Sequence, residues 1–181
     1  MKRELPRPRA WLASFAIAGG LVLVAPSVAQ GIEVMLGVPA YQQANSNWCW
    51  AAATQSIVRF QTGKFVSQCQ LVKDGTQSTS CPNVGGSKAN VGSALNANGV
   101  NRGTEKKLDW ATVVAEMKGS RPVYSSIIWK TTSTGHAHVI RGYYDTGYSW
   151  GVSYIDPASG TITSMEWGSY VSNSRWSRVP D

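Results

Sequence analysis

Gln42-Gln43-Ala44-Asn45-Ser46-Asn47-Trp48-Cys49-Trp50-Ala51-Ala52-Ala53 is the stretch on which the reading of this 181-residue chain turns. A polar, Asn/Ser-rich loop runs into an alanine triplet. Ala53, Ile57 and Phe60 then recur at helical spacing up to Gly63, a helix stop. Cys49 therefore falls in the first turn of a helix, where unpaired backbone N–H groups and the helix dipole favour a thiolate. The same N–H groups can stabilise an oxyanion forming on an attacked carbonyl. Gln43, six residues upstream, offers a side-chain amide as a second donor. The plainer alternative makes Cys49 a small buried hydrophobe.

The cysteine count favours the first reading. Besides Cys49 there are only Cys69 and Cys81, twelve residues apart across the polar segment 73–80. Residues 1–29 look like a secretory signal peptide. Lys2, Arg3, Arg7 and Arg9 precede an apolar run from Trp11 to about Pro26, closed by Ser27-Val28-Ala29. A membrane anchor is the competing reading, but the run is short and Gly19-Gly20 interrupts it. Export to an oxidising compartment predicts a disulfide between Cys69 and Cys81 and leaves Cys49 as the odd thiol. The expected product is a secreted or periplasmic protein starting near Gln30, with no stable membrane association after cleavage.

Removing the leader lowers the charge. The full chain carries 17 basic and 10 acidic residues; without residues 1–29 the count is 13 against 9. That mildly basic surface has no Lys/Arg run, which argues against a nucleic-acid partner. Residues 30–181 make one domain of ordinary size.

A thiol nucleophile needs a base and a group to orient it. The only histidines, His136 and His138, stand in Gly135-His136-Ala137-His138-Val139-Ile140-Arg141-Gly142-Tyr143-Tyr144. As a β-strand, this places both rings on one face. A metal pair is the rival reading, but no further histidine exists and the acids are scattered, so neither metal nor cofactor is expected. The orienting carboxylate is sought one strand later, at Asp156, which ends the alternating run Val152-Ser153-Tyr154-Ile155. An acid there can accept the imidazole N–H and favour the charged ring. An Asp-Pro turn opener is the plain alternative.

The remaining pattern predicts helices at 88–98 and 109–118, the latter with Val113, Val114 and Met117 inward. Strands are expected at 121–129, 137–144, 150–155 and 160–166. Helices first and antiparallel strands last describe an α+β domain of two packed layers. Trp48, Trp50, Trp129 and Trp150 are candidates for the walls of a cleft between the layers, although core positions are commoner for each.

Gln43, five residues, then Cys49-Trp50-Ala51 is similar to the Q-x5-C-W-A signature of papain-like cysteine peptidases. Within that group the chain most resembles the bacterial branch typified by plant-pathogen avirulence effectors. These share a Q-x5-C-W-A-A start, a His strand ending in Gly-Tyr and a later Asp-Pro. In the family the catalytic His is followed six residues on by Gly and then an aromatic; His136 to Gly142-Tyr143 fits, and His138 does not. The resemblance spans Gln42 to about Trp167. It implies a papain-like fold, with Cys49 as nucleophile, His136 as base (His138 the alternative), Asp156 as its orienter and Gln43 as oxyanion donor. It also implies a protein or peptide substrate and a monomeric enzyme. The rivals are a cell-wall amidase or transglutaminase-like acyl transferase, and a non-catalytic secreted binding module. The Asn-Ser-Trp-Gly segment of plant and lysosomal papains is missing, so their substrate rules do not transfer.

Overall fold

Nine consecutive residues of the first helix, Trp50 to Val58, are buried, and the rest of the architecture is arranged around that helix. The computed structural model describes residues 32–103, 105 and 108–178; the predicted signal peptide lies outside them. In chain order the elements are β1 (Ile32–Met35), α1 (Cys49–Thr62), α2 (Gln68–Thr76), α3 (Lys88–Ala97) and α4 (Trp110–Lys118). There follow β2 (Val123–Trp129), β3 (Gly135–Asp145), β4 (Trp150–Asp156), β5 (Thr161–Glu166), α5 (Trp167–Val171) and β6 (Trp176–Arg178). The chain is thus α+β, with several helices and one antiparallel sheet.

Helix α1 can be enclosed because its buried residues are small or internally satisfied. Ala51, Ala52 and Ala53 are fully buried and let the backbone pass close to β3 and β2. Thr54 Oγ1 and Ser56 Oγ donate to the carbonyls of Trp50 (2.7 Å) and Ala52 (3.2 Å), so no hydroxyl is stranded. Gly63 ends the helix with φ 71°, a left-handed conformation that suits glycine.

The sheet runs β5-β4-β3-β2-β6, and β1 lies beside the far end of β3. One edge of β3 therefore serves two strands. Its residues 135–140 pair with Val123–Ile128 of β2, and 142–145 pair with Ile32–Met35 of β1. Between these segments the register against β4 shifts, from Ile140 to Gly142. A bulge bends and twists the strand that carries it, and Arg141 occupies this one. Its guanidinium donates twice to the carbonyl of Leu36 (3.0 and 2.6 Å), which fastens the exit of β1 to the bend.

Helices α2 and α3 pack together beside α1, α4 lies on β3 and β1, and α5 on β4 and β5. The core between the layers includes Val58, Leu71, Val72, Val139, Ile140, Val152, Ile155 and Tyr170, all fully buried. Helix α2 carries Cys69 and runs into the first half of the polar segment between the cysteines. Ser67 caps it, accepting from the Gln70 N–H at 3.2 Å. The Cys69–Cys81 disulfide is formed and Cys49 is free. Among the described residues, no helix is long and apolar enough to cross a membrane.

Candidate active site

Cys49 is the first residue of α1. The first backbone bond inside the helix runs from the Ala52 N–H to the Trp48 carbonyl (2.9 Å), so the N–H groups ahead of it have no helical partner. The residues before Cys49 are held by the segment that follows the disulfide. Trp48 Nε1 donates to Pro82 O and Trp50 Nε1 to Val84 O, both at 3.0 Å. Asn83 Oδ1 accepts from the Asn47 N–H (3.0 Å), its carbonyl from Asn47 Nδ2 (3.1 Å), and its Nδ2 donates to Ser46 Oγ (2.9 Å). Gly86 lies flat against the Trp50 ring; a Cβ there would come within 2.3 Å of it.

Gln43 sits in the loop before the helix, as its place in the sequence suggests. Its backbone N–H donates to Pro157 O (2.8 Å), which joins this loop to the turn after β4. Its amide nitrogen donates to the carbonyls of Asn45 (2.9 Å) and Ser46 (2.8 Å), and its Oε1 is buried without a partner. Both amide hydrogens are therefore engaged within the loop. Gln68 braces the loop from α2, accepting from the Ala44 N–H and donating to Gln42 O, each at 2.8 Å.

His136, near the start of β3, meets both Cys49 and Asp156. Its Nε2 is 2.7 Å from Asp156 Oδ1, which leaves Nδ1 as the ring nitrogen for the thiol. Asp156 Oδ1 also accepts from the Ala158 N–H (2.9 Å), and its carbonyl accepts from the Gly160 N–H (2.8 Å). Asp156 thus opens the Asp-Pro turn and also holds the histidine, so the two readings of it coexist.

The three ionisations reinforce one another. Burial pushes the Cys49 thiol up, but the hydrogen bond and charge of His136 outweigh it. The N–H groups of Ala137 and Trp50 add to this, and the net shift is downward. Burial likewise works against protonated His136, yet the Asp156 hydrogen bond, followed by the Cys49 contact, raises it to about 9. Asp156 is held below its ordinary value: desolvation opposes ionisation, and the His136 bond and the Ala158 N–H more than offset it. The three shifts point the same way, each toward the charged form of its group.

His138 shares the strand face with His136, its ring 5.2 Å away and edge-on. It is packed against Tyr154, Tyr170 and Trp176. Burial, followed by the charge on His136, drives its pKa well down, so the ring is neutral. One ligand atom each of His136, His138 and Asp156 lie within 4.8 Å of one another, the one such trio among the described residues. Two of the three are already bonded to each other.

Cys49 and His136 open onto a cleft of about 670 Å³ whose walls include Gln43, Asn47, Trp50, Gly85, Gly86 and Trp129. Trp50 and Trp129 are therefore cleft residues. Trp48 is buried behind it, and Trp150 sits half-exposed at the start of β4. A neighbouring cavity of about 650 Å³ between α3, α4 and β2 holds no cysteine or histidine. The chemistry belongs to the cleft.

Residues 33–175 match the family described as papain-like cysteine protease AvrRpt2. The chain belongs to that family. No curated protein matches it. Membership establishes a cysteine protease relationship over a span that contains Gln43, Cys49, His136 and Asp156 alike. In this family member two contributors to the site, Gln68 and Asn83, carry no mark in the sequence, while Trp129, a wall candidate by sequence, does more than line the cleft. Trp129 lies over His136, ring centres 5.4 Å apart and tilted by 30°. Gln68 and Asn83 hold the loop before the helix. They act through hydrogen bonds to residues 26 and 36 positions away, which no local pattern announces.

Proposed function

We propose that the chain is a secreted cysteine endopeptidase that cleaves peptide bonds through Cys49, His136 and Asp156. The observation that carries this reading is the line from a free thiol at an uncapped helix start, through His136, to Asp156 at 2.7 Å. Residues 1–29 are a cleaved signal peptide, and residues 30–181 form one monomeric, papain-like peptidase domain, its early helices α1 to α4 packed on an antiparallel sheet of mostly later strands to which β1 is added from the N-terminal side. The product acts in the periplasm or outside the cell.

The Cys49 thiolate attacks the substrate carbonyl carbon and forms the C–S bond. The resulting oxyanion is met by backbone N–H groups at the start of α1. Gln43 adds one amide N–H by exchanging a loop carbonyl for the oxyanion. As the C–N bond breaks, His136 gives its proton to the leaving amine. Neutral His136 then takes a proton from water, the hydroxyl attacks the thioester, and the acid product leaves Cys49 as thiolate beside imidazolium. Asp156 keeps the ring oriented throughout and favours its charged form whenever it holds the proton.

The test is digestion of a proteome-derived peptide library, with peptidoglycan fragments alongside, by wild type and Cys49→Ala. Peptide cleavage that falls at least about a thousandfold in a folded Cys49→Ala protein is the expected result. Residual cleavage above that level refutes the nucleophile, and turnover of peptidoglycan alone refutes the endopeptidase.

A further inference from the structure

Helix α1 differs from its neighbours in how its first turn is held. Helices α2, α3 and α4 each begin on a side chain that accepts from their own backbone: Ser67, Ser87 and Asp109. Such a cap satisfies a first-turn N–H and stabilises the helix start. Trp48, at the start of α1, supplies none. A capping acceptor there would compete with the Cys49 sulfur for the first-turn N–H groups, among them that of Trp50, which supports the thiolate. The start of α1 must therefore be fixed from outside the helix.

Residues 82–84 do this. The carbonyls of Pro82 and Val84 take the indole N–H groups of Trp48 and Trp50, on either side of Cys49. Asn83 binds both donors of Asn47 and reaches Ser46 Oγ, so three bonds from one residue fix the two residues before Trp48. The segment is anchored immediately upstream, where Cys81 is bonded to Cys69 on α2.

We propose that Asn83 is a positioning residue for the Cys49 thiol, kept in place by the Cys69–Cys81 disulfide. The inference rests on Cys49 as the nucleophile of the proposed peptidase. Loss of the Asn83 side chain removes the acceptor for the Asn47 N–H and the donor to Ser46 Oγ, leaves only the backbone carbonyl of residue 83 for Asn47 Nδ2, and loosens the backbone just ahead of Cys49. The sulfur then shifts relative to His136 and to the Ala137 N–H, and hydrogen bonds weaken steeply with distance and angle. Thiol acidity is the property that responds. The disulfide acts at one remove, so the competent protein combines one reduced cysteine with one oxidised pair.

The test is the pH dependence of Cys49 alkylation by iodoacetamide in wild type, Asn83→Ala and the Cys69→Ala/Cys81→Ala double variant. Cys49 is the only free thiol in each. At pH 6 the rate is expected to fall about three- to tenfold in both variants, while the plateau at high pH, where the thiol is fully ionised, is unchanged. Loss of stability alone does not move this profile in folded protein. Profiles that superimpose on wild type in proteins shown to be folded by circular dichroism overturn the proposal. If either variant fails to fold, Ser46→Ala, which removes only the acceptor for Asn83 Nδ2, is read the same way: a smaller shift in the same direction supports the role, and none overturns it. Alkylation needs no substrate, so the two proposals fail separately. A shifted profile in a protein that cleaves no peptide refutes the peptidase alone, and a superimposed profile in an active protein refutes the positioning role alone.

Discussion

Replacing Asp156 with Asn keeps a hydrogen-bonding side chain 2.7 Å from His136 and removes the negative charge. His136 stands at about 9 against an ordinary 6.5, and burial by itself would have lowered it. The Asp156 bond is the foremost of the contacts that raise it, ahead of those from Cys49. Neutralising an adjacent partner of this kind shifts a pKa by roughly one to two units. Each unit corresponds to about 1.4 kcal/mol of preference for the imidazolium. The sign follows from which form is active. Cleavage requires charged His136, so the alkaline limb of kcat/KM lies near pH 9 in wild type and moves down by one to two units, roughly, in Asp156→Asn. The acid limb, set by protonation of the thiolate, moves less. The raised His136 pKa also contributes stability that is full below pH 6.5 and lost as pH rises through about 9. The melting temperature of wild type should therefore fall across that window more than that of the variant. The assay is kcat/KM on a fluorogenic peptide from pH 5 to 10. An alkaline limb that stays in place in Asp156→Asn refutes the assignment of Asp156 as the group that charges His136.

Other perturbations separate structural from chemical roles. His138→Ala deletes a fully buried ring beside Tyr154, Tyr170 and Trp176 and should cost about 2–4 kcal/mol in urea unfolding. Its alkylation rate at pH 6 should stay within about twofold of wild type, whereas His136→Ala loses the fast reaction; the reverse pattern makes His138 the base. Gly86→Ala drives a methyl group to within 2.3 Å of the Trp50 ring and should destabilise the fold by about 1–3 kcal/mol, read as a lower melting temperature. An unchanged melt would mean that Gly86 is not what lets the loop lie on Trp50. Opening the Cys69–Cys81 bridge with strong reductant should cost about 3 kcal/mol. Calorimetry with and without reductant measures this, and equal melts rule out a structural contribution.

Much of the frame is legible in local pattern. Gly63, Asp109 and the alternating runs from 123 onward place α1, α4 and the strands β2 to β5 within a residue or two of their observed ends. Elements defined by distant partners are not legible. Ile32–Met35 is too short to show alternation and becomes a strand because β3 offers it an edge. Helix α2 buries only Gln68, Leu71, Val72 and Gly75, too few apolar positions to reveal a helical period amid Lys73, Asp74 and Thr76. Cys49 and Asp156 are marked by their neighbours in sequence. The engagement of both Gln43 amide hydrogens depends on how one loop folds on itself, and spacing carries no trace of it.

The bulge at Arg141 has a consequence for the order in which the molecule assembles. It joins the strand made first to one made late: Leu36 and Arg141 are 105 residues apart, and Gln42 meets Ala158 across 116. Contacts of that span form only after the entropy of closing a long loop has been overcome, so they come late in folding. A chain still emerging has its free cysteine from residue 49 onward but acquires Asp156, the partner of His136, only at residue 156. The thiol is thus present for most of synthesis in a molecule that cannot use it. Competence arrives with the turn that closes β4.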